Sequence, residues 1–216
     1  MAIICKSRDK NIKSFCFVHI YKTGGNAIIK TLQKQLQGKD VNFNLRFTSP
    51  HCSLRDIKDK MINQQINPDN FLFFGFVRNP YDWVYSTYYY IKKSPGHEYY
   101  NTPQVQNFNE FVKWLFTHAY KLPKIKFQDQ YSSQSAHLIS KSGAIELDYV
   151  GKMEDFDNDY KYICNQIGLT YHKPLAVNVL SKRDQKSFKG EMSEKSKIMI
   201  NNNLHDDFIN FDYQKL

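Results

Sequence analysis

The stretch SFCFVHIYKTGG, residues 14–25, decides the fold of this chain. Residues 14–20 are almost all apolar and favour β-structure, as in a strand that is buried on both faces of a sheet. Gly24 and Gly25 then end the strand, and apolar residues recur after them at helical spacing until Gly38: Ala27, Ile28, Ile29, Leu32 and Leu36. The stretch therefore predicts a central parallel strand, a glycine loop and a helix, in that order.

A second buried strand is predicted at residues 71–77, FLFFGFV. It is followed by Asn79, a good N-cap residue, and by Pro80, which suits the first position of a helix. This pattern predicts a second turn from a buried strand into a helix, which is rich in tyrosine and runs to about Lys92.

The other elements follow from the same two periodicities. Alternating or short apolar runs predict strands at 41–47 and 146–150, and helical spacing predicts helices after Ser53 and at 107–118, 155–167 and 193–208. Strands that alternate with helices predict an α/β protein, with an open parallel sheet and helices on both faces. No linker or composition shift divides the chain, so we expect a single domain over residues 1–216.

The composition narrows the partners and the compartment. Lys and Arg exceed Asp and Glu by 30 to 21, a net charge of +9 that would attract phosphates, sulfates, acidic glycans or nucleic acid. Residues 1–10 hold no apolar run long enough for a signal peptide, and no segment reaches the length of a membrane span, so we expect a cytoplasmic protein. The four cysteines show no C-x-x-C spacing and Cys16 lies in the first predicted strand, so we expect neither a disulfide framework nor a metal site.

The loop after the first strand has the residues of an anion cradle. Two glycines let an anion approach the backbone, Thr23 offers a hydroxyl, and Lys22 offers an ammonium group. The helix that follows points its N-terminus, with its dipole and N–H groups, at the same place. The lysine precedes the glycines, whereas in the P-loop of nucleotide triphosphatases it follows them, so this loop is of a different kind.

The loop after the second strand predicts a second anion site. Arg78 stands at the end of the strand, and Ser86 lies about two helical turns further on. Both side chains can reach an anion near the start of that helix. Two loops of this kind at the ends of two buried strands indicate a ligand with two phosphate groups.

HIYKTGG at 19–25 together with FVRNPYDWVYS at 76–86 resembles the motif pair of the sulfotransferases that use 3′-phosphoadenosine 5′-phosphosulfate (PAPS). The resemblance is strongest to the carbohydrate branch, sulfotransferase family 2, with its heparan sulfate 2-O-like enzymes. It implies the P-loop-NTPase-like sulfotransferase fold. It also implies transfer of a sulfuryl group from PAPS to a hydroxyl acceptor, with 3′-phosphoadenosine 5′-phosphate (PAP) as the product.

In that family the first loop binds the 5′-phosphosulfate, and the arginine and serine of the second motif bind the 3′-phosphate. The donor-binding residues implied here are Lys22, Thr23, Gly24, Gly25, Asn26, Ala27, Arg78 and Ser86. A loop near the family's C-terminus closes over the nucleotide, which would bring Lys182 and Arg183, in a basic run of this chain, to the 3′-phosphate.

The resemblance covers most of the chain. Gln134 begins a Q-x-x-x-L pattern, residues 148–154 resemble the family's D-x-V-G-x-x-E, and residues 212–213 resemble its terminal F-G-Y. Three positions depart from the family pattern, in which proline, serine or threonine, and arginine are usual: Tyr21, Asn26 and Trp83.

The chemistry requires positive charge on the oxygen that leaves with the phosphate and a base for the acceptor proton. Lys22 is the residue we expect to stabilise that oxygen. For the base we favour His51, because carbohydrate sulfotransferases of this type have a histidine upstream of the second motif, and an imidazole titrates near neutrality. Glu154 is the alternative base.

Two other function classes stay open at this point. The net charge and the many aromatic residues would also suit a non-catalytic binder of polyanions or nucleic acid, although no RRM, KH or helix-turn-helix signature is present. A P-loop-like nucleotide kinase is the other class, disfavoured by the position of the lysine. For a sulfotransferase we expect a hydroxyl acceptor on a glycan and no nucleic acid partner, while lipid and tyrosine acceptors stay open.

Overall fold

The computed structural model describes residues 2–44, 52–117, 133–174 and 188–216. The chain divides into two compact units. Met1–Val77 and Gln134–Val177 form one, which we call the sheet unit, and Arg78–Ser133 and Asn178–Leu216 form the other, which we call the helical unit. A single domain over residues 1–216 stays a prediction.

The sheet has the strand order β3-β1-β2-β4-β5. The strands are β1 (Ala2–Ser7), β2 (Phe15–Val18), β3 (Val41–Asn44), β4 (Leu72–Val77) and β5 (Tyr149–Lys152). At the centre, β2, β4 and β5 are parallel, with Val18 opposite Gly75 and Val77 opposite Lys152. The α/β class and the two predicted buried strands are confirmed.

The sheet is mixed because β1 pairs antiparallel with both β2 and β3. Sequence reasoning did not identify β1. The connection from β1 to β2 is a turn of residues 8–14, and a connection that short joins antiparallel strands, since a parallel pair needs a crossover of a dozen residues or more. β1 thus adds a strand of opposite direction beside the parallel centre of the sheet.

Helices cover both faces of the sheet. One face carries α1 (Gly25–Gln35) and α6 (Phe156–Ile167), whose apolar residues share a buried cluster with Phe15, Phe17, Phe74 and Phe76. The other face carries α2 (Leu54–Asn63) and α5 (Gln134–Leu138). There Lys58 Nζ of α2 lies 5.4 Å from the centre of the Phe73 ring, and Leu138 of α5 lies against Gly75.

Two predicted boundaries move. The strand predicted at 146–150 is β5 at Tyr149–Lys152, because Glu146 is bound to Lys58 and Ser142, and the Asp148 carboxylate accepts the N–H of Phe73 at 2.7 Å. The helix predicted at 193–208 is divided at Leu204 into α8 (Glu194–Asn203) and α9 (His205–Asn210).

The helical unit also contains α3 (Pro80–Lys93), α4 (Phe108–Thr117) and α7 (Phe188–Glu191). Asn109 of α4 joins the later helices, since its side chain accepts Ser193 N–H at 2.9 Å and donates to the Glu191 carbonyl at 2.9 Å. Tyr81 of α3 packs on Phe208 of α9 with ring centres 5.2 Å apart. Across the described residues, no helix combines the length and the apolar character that crossing a bilayer requires.

Candidate anion-binding site

The loop between β2 and α1 has an unusual backbone. Lys22 and Gly24 both have positive φ, 60° and 73°. Thr23 between them is fully buried, and its hydroxyl donates to the Ile20 carbonyl at 3.0 Å. The loop is therefore closed by Thr23 from inside, so the hydroxyl that was predicted to face an anion stabilises the turn in this structure.

The start of α1 has no side-chain cap. Gly24 is the N-cap residue, its carbonyl accepts from Ala27 N–H at 2.9 Å, and the first turn holds no acidic residue. The first N–H groups of a helix have no partner within the helix, and the dipole makes this end positive. An anion in front of the loop would therefore meet N–H donors and no competing carboxylate from this turn. Among the residues predicted there, Asn26 is exposed and Ala27 is buried.

Each glycine of the loop has a side chain against it. A Cβ on Gly24 would lie 2.8 Å from Cε of Met153, and a Cβ on Gly25 would lie 2.0 Å from Cδ2 of His19. Both distances are shorter than any that a real Cβ adopts. Sequence reasoning explained the two glycines by the approach of a phosphate and missed both neighbours; Met153 is distant in sequence, and His19 has no motif of its own apart from the strand end.

Lys22 extends from this loop, half-buried, with Nζ 5.8 Å from the centre of the Tyr21 ring. This is a cation–π distance. Tyr21 stands where the family that the motif resembles usually has proline, so the aromatic ring gives the Lys22 side chain a surface that proline would not provide.

The end of β5 lies beside the same loop. Asp148 fixes β5 to β4 by its carboxylate bond to Phe73, and Gly151 is held against the Phe76 ring, 2.5 Å from where its Cβ would be. The D-x-V-G part of the motif is thus explained by packing. Glu154, the alternative base, is exposed and directly follows Met153, the residue that covers Gly24.

The second motif opens the helical unit. Asn79 caps α3 by accepting Tyr81 N–H at 3.0 Å, and Pro80 occupies the first helical position, as predicted. Arg78 is half-buried one residue before the cap. Ser86 is 4% exposed on α3, about 9 Å along the helix from Pro80.

Trp83, where the family commonly has arginine, is fully buried in the helical unit. Its carbonyl accepts the Thr87 hydroxyl at 2.9 Å, and its N–H donates to Asn79 at 2.8 Å. In this chain the Trp83 side chain serves packing, and it cannot take the role of a charged arginine.

Three predicted site residues, His51, Lys182 and Arg183, lie outside the described residues and stay predictions. A further histidine went unnoticed in the sequence. His137 on α5 is 3% exposed, beside the equally buried Gln134 and Ser135, and burial lowers the pKa of His137 to about 4 against the opposing charge of Asp56. In the ranges that the structure covers, no three His, Cys, Asp or Glu side chains are grouped to hold a metal ion.

Comparison with known proteins gives a family and a fold. The family model described as "Sulfotransferase family" matches residues 3–214. Among solved structures, the mouse sulfotransferase SULT7A1 complexed with PAP aligns over 91% of this chain and 85% of that chain, with a TM-score of 0.54 and 13% identity. No curated protein matches the sequence significantly. At that identity the structural likeness supports the predicted sulfotransferase fold.

Proposed function

Since this chain belongs to the sulfotransferase family, we propose that it transfers a sulfuryl group from PAPS to a hydroxyl group of a carbohydrate. The observation that carries the proposal is the family match over residues 3–214 together with Lys22–Gly25 at the uncapped N-terminus of α1. Membership gives the reaction class, and the loop gives a place where an anion meets positive charge and N–H donors.

The donor roles are divided between the two motifs. Lys22 binds the 5′-phosphosulfate through its ammonium group, and Thr23, Gly24, Gly25, Asn26 and Ala27 contribute the backbone around the start of α1. Arg78 and Ser86 bind the 3′-phosphate, with Arg78 as the charged partner that can make two parallel hydrogen bonds. Lys182 and Arg183 add positive charge near the same phosphate.

The reaction is an in-line displacement at sulfur. The acceptor oxygen forms a bond to sulfur while the bond from sulfur to the bridging oxygen of the 5′-phosphate breaks, and that oxygen leaves with the electron pair. Lys22 stabilises the charge that grows on the leaving phosphate, because an ammonium acts most strongly where charge appears only in the transition state. PAP is the product.

The acceptor proton goes to a base. His51 is the proposed base, because an imidazole titrates near neutral pH, and Glu154 is the second candidate. The position of Glu154 at the end of β5, next to the residue that covers Gly24, is consistent with the second role.

A carbohydrate acceptor is supported by a run of aromatic rings in the helical unit. Ring centres lie 6.0 Å apart for Tyr90 and His97, 5.9 Å for His97 and Tyr99, and 4.8 Å for Tyr99 and Trp114. Tyr90 is 37% exposed, His97 and Tyr99 are partly exposed, and Trp114 is buried beneath them in the run. Lys93 Nζ lies 5.5 Å from the centre of the neighbouring Tyr89 ring. Partly exposed rings suit the apolar faces of sugars, and a lysine suits their carboxylates.

Burial lowers the pKa of His97, with Glu98 acting in the opposite direction. This favours the neutral ring at neutral pH, so His97 would offer a hydrogen bond and a stacking face. The backbone N–H of Tyr99 donates to Nδ1 of His97 at 3.2 Å, which orients the ring within the turn.

The test is transfer from radiolabelled PAPS to a panel of acceptors: desulfated heparan and chondroitin polysaccharides, a tyrosine peptide and a hydroxylated lipid. Label in a polysaccharide that is lost in Lys22→Ala supports the whole proposal. Label found only in the peptide or the lipid would support the sulfotransferase activity and rule out a carbohydrate acceptor. No label in any acceptor, with transfer of phosphate from ATP instead, would overturn it. The cytoplasmic location is a separate proposal, tested by cell fractionation.

A further inference from the structure

The closest packing in the described part of the loop is between the ring of His19 and the backbone of Gly25. A Cβ on Gly25 would lie 2.0 Å from Cδ2, 2.1 Å from Nε2 and 2.7 Å from Cγ of His19. The imidazole is therefore directly against the Gly25 Cα. No side chain larger than hydrogen fits at residue 25 while the ring keeps this position.

The ring of His19 also contacts Phe17. It is stacked on Phe17, with ring centres 5.8 Å apart and planes 19° apart, and His19 is 9% exposed. Phe17 in turn is fully buried and stacked on Phe74 at 5.2 Å. Because protein interiors are densely packed, the ring has little room to withdraw from Gly25.

The backbone does not itself require glycine at residue 25. Gly24 has a φ of 73°, but Gly25 is outside the residues with positive φ and is the first residue of α1. Alanine is the best helix former, so helical geometry alone would accept it there. The two adjacent glycines therefore have different causes: conformation and Met153 at Gly24, and the His19 ring at Gly25.

We propose that His19 is a positioning residue of the donor site. Its ring, which contacts both Phe17 and Gly25, fixes where the first turn of α1 begins and so where the N–H groups of that turn point. This rests on the proposed function, because those N–H groups are the proposed partners of the 5′-phosphosulfate. Gly25 is glycine in order to accept the ring, rather than to let the phosphate approach.

The inference is tested by a double-mutant cycle with His19→Ala and Gly25→Ala, read as the dissociation constant of PAP by calorimetry. Gly25→Ala should weaken PAP binding about tenfold, because the ring and the new methyl group displace the turn. His19→Ala should weaken binding by less, about threefold to fivefold. The double variant should bind PAP no more weakly than His19→Ala, because the methyl group then occupies the space left by the ring.

Independent losses that multiply in the double variant would overturn the inference, since they would mean that Gly25 serves the phosphate directly. If Gly25→Ala does not fold, recovery of folding and PAP binding in the double variant supports the inference. If neither Gly25→Ala nor the double variant folds, the inference is contradicted. Gly96→Ala is the matched control, because nothing lies within 4 Å of its Cβ position, and it should bind PAP like the wild type.

Kinetic measurements distinguish a positioning role of His19 from a purely structural one. A positioning residue should change the KM for PAPS and leave the KM for the polysaccharide acceptor unchanged, whereas general destabilisation would alter neither in the folded fraction. If the wild-type protein binds PAP but the double-mutant cycle shows no coupling between residues 19 and 25, this inference is wrong and the proposed function stands. Wild-type protein that does not bind PAP removes the proposed function first.

Discussion

The Lys22–Gly25 loop and the Arg78–Ser86 segment both follow a buried parallel strand, but they are held by different means. The first depends on backbone conformation and on close neighbours, with positive φ at Lys22 and Gly24 and side chains against both glycines. The second is an ordinary helix start, with Asn79 as cap and Pro80 at the first position. The first should therefore be sensitive to any change of shape, and the second only to loss of particular side-chain groups.

Lys22→Ala should have the largest effect. Loss of one preorganised group that stabilises transition-state charge lowers kcat by about a hundredfold to a thousandfold. The affinity for PAPS should change much less, because in the proposed mechanism the ammonium acts mainly on the charge that grows on the leaving oxygen. Initial rates with PAPS check this, with Lys30→Ala, an exposed lysine of α1, as the control that keeps wild-type activity.

Arg78→Ala should come next and should act on binding. Removal of a charged hydrogen-bonding partner costs about 1.5–3 kcal/mol, roughly tenfold to a hundredfold in affinity. The loss should appear for PAP and be absent for AMP, which has no 3′-phosphate. Calorimetry with both nucleotides measures it, and an equal loss for the two would mean that Arg78 does not bind the 3′-phosphate.

Gly24→Ala tests the first region by shape alone. A left-handed backbone costs a residue with a Cβ about 1–2 kcal/mol, and contact with Met153 adds to this. Gly38→Ala is the matched control, since Gly38 has nearly the same φ, 76°, with nothing within 4 Å of the Cβ position. Thermal unfolding should show a larger loss for Gly24→Ala than for Gly38→Ala; equal losses would leave Met153 without a role.

Asn79→Ala should have the smallest effect. Loss of the hydrogen bond that the Asn79 side chain accepts from Tyr81 N–H should destabilise the helix start by about 1 kcal/mol. Because the cap only supports Arg78, the affinity for PAP should fall less than in Arg78→Ala. Urea unfolding and PAP titration of the same variant check both parts, and a loss of PAP affinity as large as that of Arg78→Ala would contradict the passive role given to this region.

The elements predicted best are those whose signal is local. The strand at 71–77 and the cap at Asn79 and Pro80 come from adjacent residues, and the structure has them at those positions. β1, which is as long as β4, was missed because its apolar residues are followed at once by Lys6 and Ser7, and its antiparallel direction depends on a pairing partner. Sequence patterns do not report such a partner.

The site shows the same limit. Gly24 and Gly25 were recognised because glycine is conspicuous in a sequence, but their neighbours were not. Met153 contacts Gly24 only because β5 lies beside β4 and β2, and His19 contacts Gly25 only because the intervening turn folds back. Chemistry that comes from a residue type can be predicted, whereas contacts that come from the path of the chain need the structure.

The proposed donor contacts are a 5′-phosphate at Lys22–Gly25 and a 3′-phosphate at Arg78 and Ser86. The most direct measurement is calorimetric titration of the full chain with PAP, with AMP, and with ATP and magnesium. We predict that PAP binds at least about tenfold more tightly than AMP, as expected for one charged hydrogen-bonded phosphate. Equal affinity for PAP and AMP, or binding of ATP with magnesium alone, would contradict the account.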